Sequence, residues 1–193
     1  NLSNSPLKVT FADISEHLKL SVSPNPIPAR GTAELSYTVT ADRSLWGKNH
    51  YWAVPVVNGK TYTSNEGDKK IGFWAFTKED FSGVSAEEKR NGPRPTFTES
   101  TYSFGKVRKG QKVNAVFKFK NDGKSPFKVY KVDADGKIVC SGVPEAGAGQ
   151  TVSFQVELDT TDLPKGETLT IVTLTTNSPL RPIVNLFIAG FIE

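Results

Sequence analysis

Apolar and polar residues alternate along most of this chain with a period of two. Ala33–Thr40 sets Leu35, Tyr37 and Val39 against Glu34, Ser36 and Thr38. Asn114–Lys120 sets Phe117 and Phe119 against Lys118 and Lys120, and Thr151–Asp159 turns Val152, Phe154, Val156 and Leu158 to one side. Thr168–Thr176 and Ile183–Ala189 follow the same rule. Successive side chains of an extended chain point to opposite faces, so each run predicts a half-buried strand. Between the runs, Asn58-Gly59, Lys109-Gly110, Asp122-Gly123, Asp135-Gly136 and Lys165-Gly166 each offer a residue tolerant of positive φ. Short strands separated by such turns predict an all-β sandwich or barrel. One stretch differs. In Ser82–Asn91, Ser85 is placed as an N-cap with Glu87 and Glu88 in the first turn, and Asn91-Gly92-Pro93 ends the helix this predicts.

The two halves share a pattern. Asn1 to Val9 matches Asn121 to Val129, with Ser5-Pro6 over Ser125-Pro126. Gly31 and Gly149 each precede an alternating strand, Asn58 and Asn177 follow at similar spacings, and Ile71–Phe76 and Ile183–Ala189 close the copies. The first copy has a longer polar connection, Thr61–Lys70. The expected architecture is two immunoglobulin-like β-sandwich modules in tandem: a partial copy over 1–81, a linker with a short helix over 82–95, and a complete copy over 96–193. The complete copy has two strands before Asn121, at Thr101–Val107 and Asn114–Lys120, which the first copy lacks. The expectation is that the natural protein extends upstream by two strands and that those residues partner the first sandwich.

Composition narrows the class a little. The 193 residues hold 12 Phe and are 37% hydrophobic, enough for a real core. No apolar run is long enough to span a bilayer. The net charge of +4 is too small to argue for nucleic acid. With Cys140 alone, no intrachain disulfide forms. The absence of any Met suggests processing or a longer parent chain.

Tyr102-Ser-Phe104-Gly105-Lys-Val107-Arg-Lys-Gly110, Phe117-Lys-Phe119-Lys-Asn121-Asp-Gly123, Pro126-Phe127-Lys-Val129 and Thr176-Asn177-Ser-Pro179 together resemble the bacterial domain-of-unknown-function family 1573, related to Hydin-type immunoglobulin-like modules. The resemblance covers nearly all of 96–193, and the first copy looks like the preceding module of tandem members. It implies export to the periplasm or cell surface and no enzymatic activity. Many members carry a Cys-Gly-Cys pair after the strand equivalent to Phe127–Val132. Here Ala134–Ile138 holds no such pair, so no metal or redox role carries over.

Candidate chemistry is sparse. His17 and His50 are read as structural or surface residues, Asp133 and Asp135 as flanks of a turn, and Cys140 as a small buried hydrophobe. No catalytic group, metal site or cofactor is expected. Two surfaces remain. Nine Lys or Arg and one acid lie between Lys106 and Lys131. Lys118, Lys120 and Lys128 are expected on one outward face, either docking an anionic polymer or deterring edge-to-edge aggregation, and the second reading is preferred. Trp46, Tyr51 and Trp52 are candidate ligand-binding aromatics, with Trp46 the expected exposed one. The function expected is a non-enzymatic cell-envelope or secreted module that meets a protein or a cell-surface polymer. The alternative is a carbohydrate-binding or adhesin-like module.

Overall fold

The computed structural model of the chain describes every residue except 62, 65, 66 and 143. It divides into two compact units, Asn1–Thr77 and Lys78–Glu193. Apart from one short helix, the regular structure is strand throughout. Part of the polar connection Thr61–Lys70 lies outside the described residues.

The first unit contains β1 (Val9–Ala12), β2 (Leu18–Ser23), β3 (Glu34–Val39), β4 (Gly47–Val57), β5 (Lys60–Thr61), β6 (Thr63–Ser64), β7 (Gly67–Asp68) and β8 (Ile71–Thr77). Strand β4 pairs with β1, β5 and β8, while β2 and β3 form a separate ladder. The second unit opens with α1 (Ala86–Asn91) and continues as β9 (Pro95–Phe97), β10 (Thr101–Val107), β11 (Lys112–Asn121), β12 (Phe127–Ala134), β13 (Ile138–Cys140), β14 (Glu145–Ala146), β15 (Thr151–Asp159), β16 (Gly166–Thr176) and β17 (Ile183–Ile192). Its strands form two sheets, β10-β17-β16-β12-β14 and β13-β15-β11-β9. Inward residues of both sheets build one core: Val113, Ala115, Phe117 and Phe119 from β11, Phe154, Val156 and Leu158 from β15, and Val172, Leu174, Val184, Leu186 and Ile188 from β16 and β17. The second unit is thus two β-sheets that share one core.

The expected linker 82–95 is built into the second unit. Ser85 caps α1 as predicted: its hydroxyl accepts from the Glu88 N–H at 3.2 Å, and the Glu88 carboxylate accepts from the Ser85 N–H at 2.9 Å. Beyond the helix, Ser178 Oγ donates to the Pro93 carbonyl at 2.6 Å, and Arg181 donates to the Pro95 carbonyl at 3.2 Å. Upstream, Tyr130 donates its hydroxyl to Glu79 at 2.6 Å. A segment tied at so many points adds structure to one sandwich and is not a free connection.

One side chain anchors that arrangement. Asn121, fully buried, ends β11 where the chain crosses from one sheet to the other. Its Nδ2 donates to the carbonyls of Ser125, Ala146 and Gly147 at 2.8, 3.1 and 3.2 Å. Its Oδ1 accepts from the N–H groups of Arg94 and Gly123 at 3.0 and 3.1 Å. Gly123 is a glycine for the same reason. It does not sit at positive φ, against the expectation for Asp122-Gly123. Instead, a Cβ there would run into the Gly92 carbonyl and the Arg94 nitrogen, backbone that has no room to give.

The first unit repeats this geometry. Asn1 Nδ2 donates to the carbonyls of Ser5, Ile27 and Pro28 at 2.9, 3.2 and 2.8 Å, and Oδ1 accepts from the Ser3 N–H at 2.9 Å. The Lys8 N–H donates to Asn58 Oδ1 at 2.8 Å, as the Lys128 N–H does to Asn177 Oδ1 at 2.8 Å. Ladder registers agree too. Leu18 faces Val39 as Ile138 faces Leu158, Val9 faces Val57 as Val129 faces Thr176, and Gly47 faces Thr77 as Gly166 faces Ile192. Strands β9, β10 and β11 have no counterpart among the described residues of the first unit.

Asn121→Ala would remove the amide that bonds three carbonyls and two N–H groups, of which the Gly147 carbonyl keeps the Gln150 N–H. We expect a loss of roughly 3–5 kcal/mol, each such group costing about 1–3 kcal/mol before relaxation. Urea unfolding followed by far-UV circular dichroism tests this. Tryptophan fluorescence should stay near wild type, because Trp46, Trp52 and Trp74 all lie in the first unit. Gly123→Ala should destabilise the same unit by strain alone.

Candidate functional site

The first unit carries the surface with the most unusual chemistry. Alternation along β4 turns Tyr51 and Ala53 into a small core with Leu18, and turns Lys48, His50 and Trp52 outward. On β8, Phe73 faces inward and Trp74 outward, with Trp74 59% exposed. Because His50 pairs with Trp74 and Trp52 with Gly72, these outward side chains form one stripe. The His50 and Trp74 rings lie 4.4 Å apart, and His50 and Trp52 6.2 Å apart. Lys48 Nζ sits 4.7 Å over Trp74, and Lys70 Nζ 4.8 Å over Trp52. Lys70 also pairs with Asp13 at 2.7 Å, and the Trp52 indole N–H donates to Asp13 at 3.3 Å. The hydrogen bond from Lys70 holds the Asp13 carboxyl below its ordinary value. Gly72 leaves room for His50, whose ring nitrogen lies 2.6 Å from where a Cβ would stand.

The three aromatics expected to bind do not share a surface. Tyr51 is core, only 5% exposed. Trp46 is half-buried in the loop before β4. Trp52 alone joins the outward stripe, and Trp74 replaces Trp46 as its exposed member. The strand pattern carries that distinction: Tyr51 and Trp52 are adjacent, so one must turn in.

The basic stretch also separates. Lys118 and Lys120 lie on the outer face of β11, but Lys128 lies on β12 in the other sheet, so the three do not share one face. Several of its cations are paired: Lys106 with Glu193 (3.9 Å), Lys112 with Glu157 (2.6 Å), Lys120 with Asp122 (2.9 Å), Lys128 with Glu145 (4.0 Å) and Lys131 with Asp133 (3.1 Å). Charge distributed in pairs over two faces makes a weak polyanion track.

The remaining titratable residues have plain surroundings. The His17 ring lies 3.5 Å from Asp42 and 3.9 Å from Glu16 in a turn. Cys140 is partly buried on β13 and donates weakly to the Gly142 carbonyl at 3.1 Å. Burial raises its thiol above the ordinary value, which lowers its thiolate fraction and its reactivity. Among the described residues, no three His, Cys, Asp or Glu converge as a metal site, and no helix is long and apolar enough to cross a membrane.

Fold and surface together define a protein built of β-strands in several sheets, in which the buried side chains of Asn121, Thr160, Thr176 and Ser178 hold backbone. Residues 95–192 match the model of a protein family of unknown function, DUF1573, and the chain belongs to that family. Among solved structures, the chain is similar to a protein of unknown function from Porphyromonas gingivalis W83, at 14% identity and a TM-score of 0.66, covering 99% of this chain and 87% of that one. More remote are the ASH/PapD-like domain 7 of human CEP192 (9% identity, TM-score 0.42, covering 57% and 92%) and the secreted serine protease VesC from Vibrio cholerae (10% identity, TM-score 0.41, covering 99% and 46%). Neither carries weight for function. No curated protein matches the sequence.

The family motifs now have physical roles. Phe104 lies over Gly190, where any Cβ would strike its ring, and Pro179 packs on Gly92. Asn121, Gly123 and Ser178 hold the crossing between sheets.

Several carboxyls are held below their ordinary values: Asp13 by Lys70, Asp122 by hydrogen bonds from Lys120 and Thr96, and Glu88 by hydrogen bonds from Ser85. A carboxyl depressed in the folded state adds stability above its unfolded value and gives it up as pH falls through the folded value. Urea midpoints should therefore stay flat from pH 7 to 5 and drop below about pH 4. Lys120→Ala should shrink that drop.

Proposed function

We propose that this chain is a non-enzymatic structural and interaction segment of an exported bacterial protein, in the periplasm or at the cell surface. It is built from two tandem immunoglobulin-like modules of the Hydin-related kind. The observation that carries the reading is the paired asparagine node with its matching registers: Asn1 and Asn58 in the first unit, and Asn121 and Asn177 in the second, spend their amides on backbone. Its partner is a protein or a cell-surface polymer, and nucleic acid is not the expected one. Pairing of the basic stretch with acids supports that last point.

The purified chain should show no turnover on a panel of chromogenic ester, phosphate, glycoside and peptide substrates. An antibody against it should find the parent protein in the envelope fraction of the producing bacterium. Steady turnover abolished by a single polar substitution, or a cytosolic location, overturns the reading.

A second reading is favoured by the stripe of Trp74, His50 and Trp52 flanked by Lys48 and Lys70, since a flat aromatic row suits stacking on sugar rings. If it holds, a glycan array will return selective binders and Trp74→Ala will weaken them about tenfold or more, as truncating an aromatic anchor does. A flat array removes it.

A further inference from the structure

The first unit has an uncovered inner face. In the second unit the free side of β15 is occupied by β11, and Phe117 and Phe119 fill the space between the sheets. The register match makes β3 the counterpart of β15, with Ala33, Leu35, Tyr37 and Val39 standing where Val152, Phe154, Val156 and Leu158 stand. Strand β3 pairs only with β2 among the described residues, so its other edge offers unused N–H and C=O groups. Its inward side chains are left in water: Leu35 is 41% and Tyr37 52% exposed. Beside them runs an apolar groove of about 270 Å³, lined by Val22, Ile27, Ala33, Leu35, Pro55 and Ile71 among others.

Resting on the reading of two equivalent modules, we propose that this face is completed by a β-strand of the same polypeptide, antiparallel to β3 and leaving through the Asn1 nitrogen. The occupant's chemistry follows from β11. Phe119 faces Val152, Phe117 faces Phe154 and Ala115 faces Val156. The docking strand therefore sets bulky apolar residues opposite Ala33 and Leu35, to fill the groove, and a small residue opposite the larger Tyr37. Its other side chains are polar and point to water. Its direction follows from the node. The Asn121 N–H donates to the Gln150 carbonyl at 2.9 Å as β11 ends, and the Asn1 nitrogen donates to the Gly31 carbonyl at the same 2.9 Å. A strand running down β3 thus arrives at that nitrogen.

The β8 edge is not an equivalent acceptor for a β10-like strand. Ala75 stands where Gly190 does, and the missing Cβ of Gly190 is what admits Phe104. The preference is specific to β3.

The test joins a second copy of Lys112–Lys120 directly ahead of Asn1 in the full 193-residue chain and follows amide exchange of Glu34–Val39 by mass spectrometry. The expected result is at least about tenfold slower exchange in β3. The protection should be lost when the two phenylalanines of the added segment are serine, or when Leu35→Glu is introduced. The same segment added as a free peptide should protect β3 more weakly and saturably, which keeps the idea testable should the fusion not fold. Unchanged exchange in both formats overturns it, as does equal protection by the serine version. So does protection of β3 already present in the unfused chain through self-association, which would make a second copy the occupant. None of these outcomes bears on the absence of turnover or on location, so this proposal and the envelope reading fail separately.

Discussion

A carboxamide in a dry corner sets most of this architecture. Where the chain crosses from one sheet to the other, three carbonyls and two N–H groups converge on one side chain, and burying polar backbone without partners would be costly. Asn121 answers both kinds of demand from one planar group. An aspartate could not donate, and a glutamine would place its amide one methylene too far. Because one of those N–H groups belongs to Arg94, the same side chain draws residues 92–95 against the sandwich. Gly123 must then be bare, and the segment expected as a linker becomes a wall of the second unit. Asn1 also donates to three carbonyls, those of Ser5, Ile27 and Pro28, there at a more exposed site.

Much of the fold was legible from spacing. Period-two alternation located β3, β11, β15, β16 and β17, and Asn1 and Asn121, aligned by the match of Asn1–Val9 to Asn121–Val129, each donate to three backbone carbonyls. Periodicity reports which residues share a face, but not whether anything covers that face. Leu35 and Tyr37 share a face as the alternation predicts, yet they are exposed, since among the described residues β3 pairs only with β2. Short strands with weak alternation, such as β2 and β13, left no clear trace.

The candidate sites were less legible, for related reasons. Lys118 and Lys128 are ten residues apart in sequence, yet a crossing at Asn121 sends them to different sheets. The exposed aromatic is Trp74 rather than Trp46, because a strand residue's direction is fixed by its neighbours whereas a loop residue can fold back. The Asp122-Gly123 pair looked like a turn signal and is a close backbone approach instead, which no local pattern distinguishes.

The second unit has one further property. Strand β10 runs parallel to β17 at the edge of its sheet, with Thr101 beside Phe187 and Val107 beside Ile192. Two parallel neighbours drawn apart from opposite ends must slide lengthwise, so their cross-strand bonds share the load and give way together. An antiparallel pair pulled at adjacent ends opens one bond at a time. A molecule held between two anchors and tugged along its length would meet its strongest resistance at this edge. In the first unit, β8 pairs with β4 alone among the described residues and runs antiparallel to it, and tension there would find a softer seam.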